Sequence, residues 1–439
     1  MNKLLILFVG IGVWIFSTLP VSADAGLQQL IDRTPINGEL ELEGRMYEGN
    51  ITITKPIRII GKKGTTIRGD GTGNVILIKA SDVTLKNLNI EHGSLDRSSD
   101  EEYSGVRSMG DNNQFIKLVI HDVYHGLYIN SSKHNLVDHV KVTGQGTGKL
   151  GSQGNGIQLV RTANNVIENC NISNTRDGIY VEYADNNKIS NNLVSETRYG
   201  LHYMYSNNNE FYRNHFNKNT GGAAIMHSQG ITLKENQFSF NQGSRSFGLI
   251  IQTSSSNTVL DNEFYLNQRG IYLEQSTQNR IEGNKFFHND IGIELWTTST
   301  SQVFTKNHFK KNIANVLTIG PESYNQWNQN GMGNYWGTDL PVFDLDQDQI
   351  GDSPVEYRSS LYKLVEENEL AYLFLKSPAI KIHEKINEVL STQKVMVKDE
   401  YPLVSEKEPA QIPWLPLAVL AAASMAGWML TKKRRSRLS

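Results

Sequence analysis

The chain has 439 residues, with 43 lysines and arginines, 45 aspartates and glutamates, and a single cysteine. Six of the basic residues lie close to the two termini, so the body of the chain is acidic, which argues against a nucleic-acid partner. A single cysteine excludes an intramolecular disulfide and a thiolate metal cluster. Cys170 is therefore expected to fill the interior as a small apolar group.

Residues 1–25 have the features of a signal peptide. Lys3 supplies the charged start, an apolar run follows, and Ala23 and Ala25 offer two small-residue cleavage positions. The chain is therefore expected to be exported. Residues 26–39 follow as an N-terminal cap, beginning with a short helix that would cover the open strand edges of the first coil.

Residues 40–320 repeat with a period of 22 residues, which predicts a solenoid. Glycines mark the period in two runs, which an insertion of four residues separates: Gly156, Gly178, Gly200 and Gly222, then Gly248, Gly270 and Gly292. Apolar and polar residues alternate after each glycine, as strands require. The period predicts an all-β fold, a right-handed parallel β-helix of about a dozen coils. Recurring asparagines are expected to stack as ladders at one bend, with the glycines giving backbone freedom at the other.

Residues 321–390 are predicted to close the C-terminal end of the solenoid. Trp327, Tyr335 and Trp336 form an aromatic cluster that could seal the last coil. Apolar residues within 360–375 recur at helical spacing and predict a helix there.

The end of the chain indicates a membrane anchor. Residues 391–411 are charged, contain two prolines and are predicted to be a linker. Residues 412–430 are uncharged and long enough to span a bilayer, although a buried helix of a soluble domain is the alternative. Five basic residues within 431–439 follow at once, so the tail is expected in the cytoplasm and the body outside.

Outward strand positions carry a candidate copper site. Met204 and Met226 occupy the same place in successive repeats, His202 stands beside Met204, and His227 follows Met226. Thioethers and imidazoles are soft ligands that suit Cu(I). Methionines also form adaptable apolar surfaces for partners, and the spacing alone favours that simpler interpretation.

An acidic run is a candidate calcium site. Asp344, Asp346, Asp348 and Asp352 stand at positions 1, 3, 5 and 9, as in the start of a calcium-binding loop. The usual glycine at position 6 and glutamate at position 12 are missing. A solvated acidic turn is the alternative.

Two arginines, Arg176 and Arg198, also stand one coil apart. Like charges this close need acidic neighbours, and Asp177 and Glu196 are at hand. The alternative is a surface that binds an anionic sugar or an acidic partner.

A carbohydrate-active or carbohydrate-binding protein is the alternative function. Tyr180, Tyr272 and Trp296 are outward aromatic residues that could contact a sugar. Hydrolysis would need Glu274 or Glu294, the two outward glutamates that lie one coil apart. No outward pair of aspartates is predicted on neighbouring coils. The chain is therefore expected not to be an enzyme, with a polysaccharide lyase, hydrolase or epimerase as the alternative.

Several stretches carry a family resemblance: 154–159, 176–181, 198–206, 333–336 with 344–352, and 375–379. They resemble the NosD family of exported maturation factors for nitrous-oxide reductase. The resemblance covers roughly residues 26–405, and His202 and Met204 lie in its most specific stretch.

The resemblance implies a role rather than a reaction. NosD-type proteins act outside the membrane with an ABC-type ATPase and its permease to support assembly of the copper–sulfide site of the reductase. The resemblance therefore implies the reductase or a copper chaperone, or both, as partners. It implies copper as a transient cargo. The resemblance also makes His202, Met204 and Met226 a candidate copper-transfer or docking face. The predicted membrane helix departs from a soluble family member and suggests a surface-anchored version.

Overall fold

The computed structural model describes residues 26–146, 149–243, 245–320, 324–337 and 340–404. Within them the chain winds into three sheets of twelve parallel strands each, and every coil contributes one strand to each sheet. The predicted parallel β-helix is thereby confirmed. The predicted signal peptide, membrane segment and basic tail lie outside the described residues. No helix within the described part of the chain is both long and apolar enough to cross a membrane.

The strands are short and follow the coils in order. Sheet 1 contains Gly38–Leu42, Ile57–Gly61, Thr84–Lys86, Gln114–Ile116, Leu136–Asp138, Val166–Glu168, Lys188–Ser190, Glu210–Tyr212, Thr232–Lys234, Thr258–Leu260, Arg280–Glu282 and Val303–Thr305. Sheet 2 contains Met46–Glu48, Thr66–Arg68, Asn89–Glu91, Val119–His121, Lys141–Thr143, Asn171–Ser173, Leu193–Ser195, His215–Asn217, Gln237–Ser239, Glu263–Tyr265, Lys285–Phe287 and His308–Lys310. Sheet 3 contains Ile51–Ile53, Ile76–Ile78, Ser104–Ser108, His125–Asn130, Ile157–Val160, Asp177–Glu182, Tyr199–Met204, Gly221–Met226, Phe247–Gln252, Arg269–Glu274, Ile291–Trp296 and Ala314–Ile319.

Aromatic rings and amides stack through the interior. The rings lie 4.9–5.3 Å apart, which is close to the spacing of paired strands, and belong to Phe216, Phe238, Phe264, Phe286 and Phe309. The longest amide ladder runs through Asn192, Asn214, Asn236, Asn262, Asn284, Asn307 and Asn334. These asparagines are buried, and each side chain donates to the oxygen of the next, so the predicted ladder is confirmed.

Cys170 begins this ladder, as its place in the repeat predicts. Its backbone N–H donates to Asn192 Oδ1 at 2.9 Å, and the residue is 2% exposed. Burial raises the pKa of the Cys170 thiol to about 12. The side chain is therefore an inert filler of the interior.

The repeat glycines are needed for space rather than for backbone freedom. Six of the seven lie within strands of sheet 3 and Gly156 directly precedes one, and none of them has a positive φ, so the expectation of freedom at a bend is wrong. A Cβ at Gly200 would lie 2.6 Å from the Gly222 carbonyl oxygen and 2.6 Å from Phe216 Cδ1. The next coil comes so close that no side chain fits.

Gly200→Ala is therefore expected to lower the free energy of unfolding by about 2 kcal/mol, because the backbone of the next coil must move. Gly26→Ala is the matched control, since nothing lies within 4 Å of the Cβ it would add. Chemical denaturation of both variants measures the effect. Equal midpoints for the two would contradict the packing argument.

The N-terminal helix caps the solenoid as predicted. Helix α1, Leu27–Arg33, buries Leu27 and Ile31 against the first coil. Gln28 pairs with the free edge of sheet 3, because its amide accepts from Thr52 N–H at 2.8 Å and donates to Thr52 O at 3.1 Å.

The C-terminal cap contains two α-helices, a 3-10 helix and a two-stranded antiparallel sheet. Trp327 and Trp336 are buried and stack on the last interior phenylalanines, so the predicted aromatic seal is confirmed. The predicted helix over 360–375 is split at Asn368, whose side chain accepts from Leu370 N–H at 2.9 Å. The helical elements are α2 (Leu361–Glu367), the 3-10 helix Glu369–Phe374 and α3 (Pro378–Val389); a short 3-10 helix, Leu150–Ser152, lies earlier in the chain.

The predicted linker is wrong where it begins. Lys394–Asp399 forms a strand that pairs antiparallel with Val355–Ser359. Met396 and Val397 are buried, so these residues belong to the folded cap rather than to a solvated tether.

Helix α3 packs on the cap through Ile380 and Glu384 and leaves three apolar residues exposed on its other side. Glu384 accepts from the backbone N–H of Ser360 at 2.9 Å, and Ile380 is buried beside it. The exposed residues Ile382, Ile386 and Val389 form a stripe on the outer side. The exposed 3-10 helix residues are Leu370, Leu373 and Phe374.

Candidate functional site

The outer face of sheet 3 holds the predicted site residues in two parallel columns. Strand pairing aligns Tyr180, His202, Ala224, Ile250, Tyr272 and Glu294 in one column, and Glu182, Met204, Met226, Gln252 and Glu274 in the next. The predicted register is confirmed. The expected exposure is not uniform, since Ala224, Ile250 and Glu294 are buried although they face outward. The C-terminal helices and the inserted loop near Phe247 cover that half of the face.

His202 is held in one orientation by a carboxylate. Its Nδ1 lies 2.9 Å from Asp177 Oδ2, and its ring packs edge-on between Tyr180 and Tyr199 with centroids 5.2 Å from each. An imidazole that donates from Nδ1 to a carboxylate presents Nε2 as its free lone pair. Asp177 is thus a candidate for orienting His202, a role that the repeat period alone does not predict.

Arg198 completes this cluster. It binds Asp177 through two nitrogens, at 2.9 and 2.5 Å. The predicted pairing of this arginine with an acidic neighbour is therefore confirmed. Burial opposes ionisation of Asp177, but hydrogen bonds from His202 and Arg198 outweigh it and lower the pKa of the carboxyl. Asp177 is therefore an anion at neutral pH and can accept the hydrogen bond that orients the His202 ring.

Met204 and Met226 face each other across neighbouring strands. They are directly paired in the register, His202 is two residues from Met204 on the same strand, and both methionines are partly buried. His227 is not brought into this group. It lies past the strand end, is exposed, and stacks on Tyr205 with ring centroids 5.0 Å apart.

A cavity of about 530 Å³ lies further along the same face, between sheet 3 and the C-terminal helices. Tyr272, Trp296, Glu274 and Glu294, the residues of the carbohydrate alternative, line it together. Tyr180 does not line the cavity and lies beside His202 instead.

Several other lining residues of the cavity were not predicted, among them Arg245, Arg269 and Tyr372. The four-residue insertion that breaks the repeat is a sequence signal for Arg245, whereas Arg269 begins a repeat strand and Tyr372 lies in the C-terminal cap. Phe247, at the end of the insertion, begins a strand and contributes to the cavity wall.

The acidic run brings three of its four carboxylates together. Ligand oxygens of Asp344, Asp346 and Asp348 lie within 4.8 Å of one another. Asp352 is not part of this group, and its Oδ2 accepts from Leu345 N–H at 2.6 Å. Calcium binding here stays a prediction.

The fold and this face define a parallel β-helix protein with an oriented histidine and two thioethers on one outer sheet. Residues 141–340 match the family described as periplasmic copper-binding protein (NosD). Residues 63–216 match a right-handed β-helix region. The NosD match covers 200 of the 439 residues and confirms the resemblance to this family drawn from the sequence.

Among the solved structures, similarity to AlgG supports the fold alone. The periplasmic alginate epimerase AlgG is 14% identical, with a TM-score of 0.51 over 71% of this chain and 82% of that one. The A-module of the mannuronan C-5 epimerase AlgE6 of Azotobacter vinelandii is 11% identical, with a TM-score of 0.45 over 69% of this chain and 91% of that one. No curated protein matches the chain.

Proposed function

We propose that this protein is an exported accessory factor for the maturation of nitrous-oxide reductase and handles copper as cargo during assembly of the copper–sulfide site. The NosD match and the outer face of sheet 3 support this role. The observation that carries it is the Asp177–His202 contact of 2.9 Å beside the paired residues Met204 and Met226.

The chemistry of this face suits transient Cu(I) binding. Two thioethers and one imidazole form a soft ligand set that favours Cu(I) over Ca²⁺ or Mg²⁺. Asp177 orients His202 as a carboxylate orients a metal-binding histidine in many sites. Neutral thioethers hold the ion without a strong charge attraction, which is appropriate for a carrier that must release its cargo.

The proposed place of action is outside the membrane, next to an ABC-type ATPase with its permease. The predicted anchor, residues 412–430, is part of this proposal, and seven residues separate it in the sequence from the described cap. The outward apolar stripe of α3 fits that position, because a membrane or a membrane protein would cover it.

A host that lacks this chain tests the role. We expect nitrous-oxide reductase purified from it to be present but without its copper–sulfide site, as read from copper content and the visible spectrum. Expression of the full-length chain should restore both. A fully loaded and active reductase from the deletion host would refute the proposed function.

A further inference from the structure

We propose that the cavity between sheet 3 and the C-terminal helices binds a unit of a neutral saccharide. The cavity adjoins the copper face (His202, Met204 and Met226), because Met226 lines both. The polar and aromatic groups that carry this inference are other residues, so the inference does not depend on the maturation role. Its volume of about 530 Å³ lies within the range of small-molecule sites.

A buried carboxylate forms the floor of the cavity. Glu294 has no solvent exposure and accepts from Tyr372 O–H at 2.8 Å and from Trp296 Nε1–H at 3.2 Å. Arg269 lies 3.7 Å from the same carboxylate and packs over the rings of Tyr272 and Tyr372. Such a network fixes the floor and the two tyrosine rings in place before any ligand enters.

A second carboxylate is presented higher in the wall. Glu274 Oε2 accepts from Gln252 Nε2–H at 2.7 Å and from Tyr272 O–H at 3.1 Å. Its other oxygen, Oε1, takes part in neither bond. Because a carboxylate oxygen accepts two hydrogen bonds, Glu274 has room for a hydroxyl donor from a ligand.

These walls match the two faces of a sugar ring. Saccharide hydroxyls both donate and accept, so they can bind Glu274 and Gln252 together. The C–H face of a pyranose packs on aromatic rings, and Tyr199, Phe247 and Trp296 supply such rings.

The charge of the cavity selects a neutral ligand. Its lining holds one ion pair, Glu294 with Arg269, which contributes little net charge. Beyond this pair, the carboxylates of Glu274 and Glu366 stand against the guanidinium group of Arg245. Arg269 is committed to Glu294 and to the Ser246 carbonyl, to which its Nε donates at 3.0 Å. A carboxylated sugar would therefore meet more repulsion than attraction.

The test uses the full-length protein and three neutral probes: maltotriose, cellotriose and triacetylchitotriose. Binding is followed by saturation-transfer NMR and titration calorimetry. We expect at least one probe to bind with a Kd of about 1 mM or tighter and trigalacturonate to bind more weakly. Absence of binding by all three neutral probes, or tighter binding of trigalacturonate, would overturn the proposal.

Variants assign the binding to the cavity. Glu274→Gln keeps an acceptor for Gln252 and should weaken binding about tenfold, because a hydroxyl loses its charged acceptor. Tyr272→Phe provides a second, mild change with the same expected direction. Tyr324→Ala, which removes a ring that is 90% exposed and outside the cavity, is the control. Equal affinity of both cavity variants and the control would place the site elsewhere and refute the inference.

Discussion

Replacing Met204 and Met226 together by leucine is expected to weaken Cu(I) binding by about a hundredfold, because both thioether ligands are lost. Leucine has a similar volume, so the free energy of unfolding should change by less than about 1.5 kcal/mol. The measurement is competition between the full-length protein and a chromophoric Cu(I) chelator. The same variant in the host should give a reductase depleted of its copper–sulfide site.

The two single variants and a matched control make the result specific. Each single substitution should cause a smaller loss than the pair, since one thioether and His202 remain. Met109→Leu changes an exposed methionine outside sheet 3's paired columns and should leave Cu(I) affinity unchanged. If the double variant binds Cu(I) as tightly as the wild type, the copper face lies elsewhere.

His227 belongs to the predicted copper patch but not to the group of side chains that the structure brings together. It was grouped with Met226 because the two are adjacent in sequence, but its ring stacks on Tyr205 beyond the strand end. We therefore expect His227 to contribute less to Cu(I) affinity than His202, which Asp177 orients. A repeat period predicts which residues share a column, whereas ring orientation depends on contacts from the neighbouring coils.

The period predicted the fold well because each coil repeats the same local requirements. Inward apolar positions, amide ladders and glycines at close approaches all recur at the spacing of one coil, so local pattern and tertiary contact coincide. The same reasoning located the columns of Met204 and Glu274. It also explains why Cys170 could be assigned to the interior from its place in the repeat.

The cover over the outer face could not be predicted in this way. Ile250 and Glu294 occupy outward positions, yet residues from far along the chain, such as Tyr372, bury them. Nothing in the local alternation encodes a contact at that distance. The cavity therefore arises from the non-repeating parts of the chain, the insertion before Phe247 and the C-terminal cap.

The prediction of a linker after residue 391 is wrong for a related reason. Charged residues and prolines are typical of linkers. In the strand Lys394–Asp399, however, the acidic side chain of Asp399 is buried inside the protein. Asp399 has no solvent exposure, and its carboxylate takes the place of the next amide at the end of the long asparagine ladder. Composition does not distinguish a solvated carboxylate from one that closes a row of buried donors.

Asp399→Ala is expected to lower the free energy of unfolding by about 4 kcal/mol. Asp399 Oδ2 accepts from the Asn334 backbone N–H at 2.7 Å and from Trp336 Nε1–H at 2.9 Å, and Oδ1 accepts from Tyr401 N–H at 3.1 Å. Burial raises the pKa of this carboxyl, and the donors offset only part of that effect. Removing the acceptor leaves buried donors without partners, at about 1–3 kcal/mol each.

Two comparisons decide whether Asp399 acts through these donors. Glu400→Ala removes the neighbouring exposed carboxylate, whose contact with Lys398 lies at the surface, and should cost less than about 1 kcal/mol. Asp399→Asn retains one acceptor oxygen and should fall between the two. Because Trp336 seals the last coil, its fluorescence during chemical denaturation reports the loss directly. An Asp399→Ala midpoint equal to that of Glu400→Ala would contradict this prediction. It would show that apolar packing and strand pairing hold the cap, and that the carboxylate at the end of the asparagine ladder adds no stability.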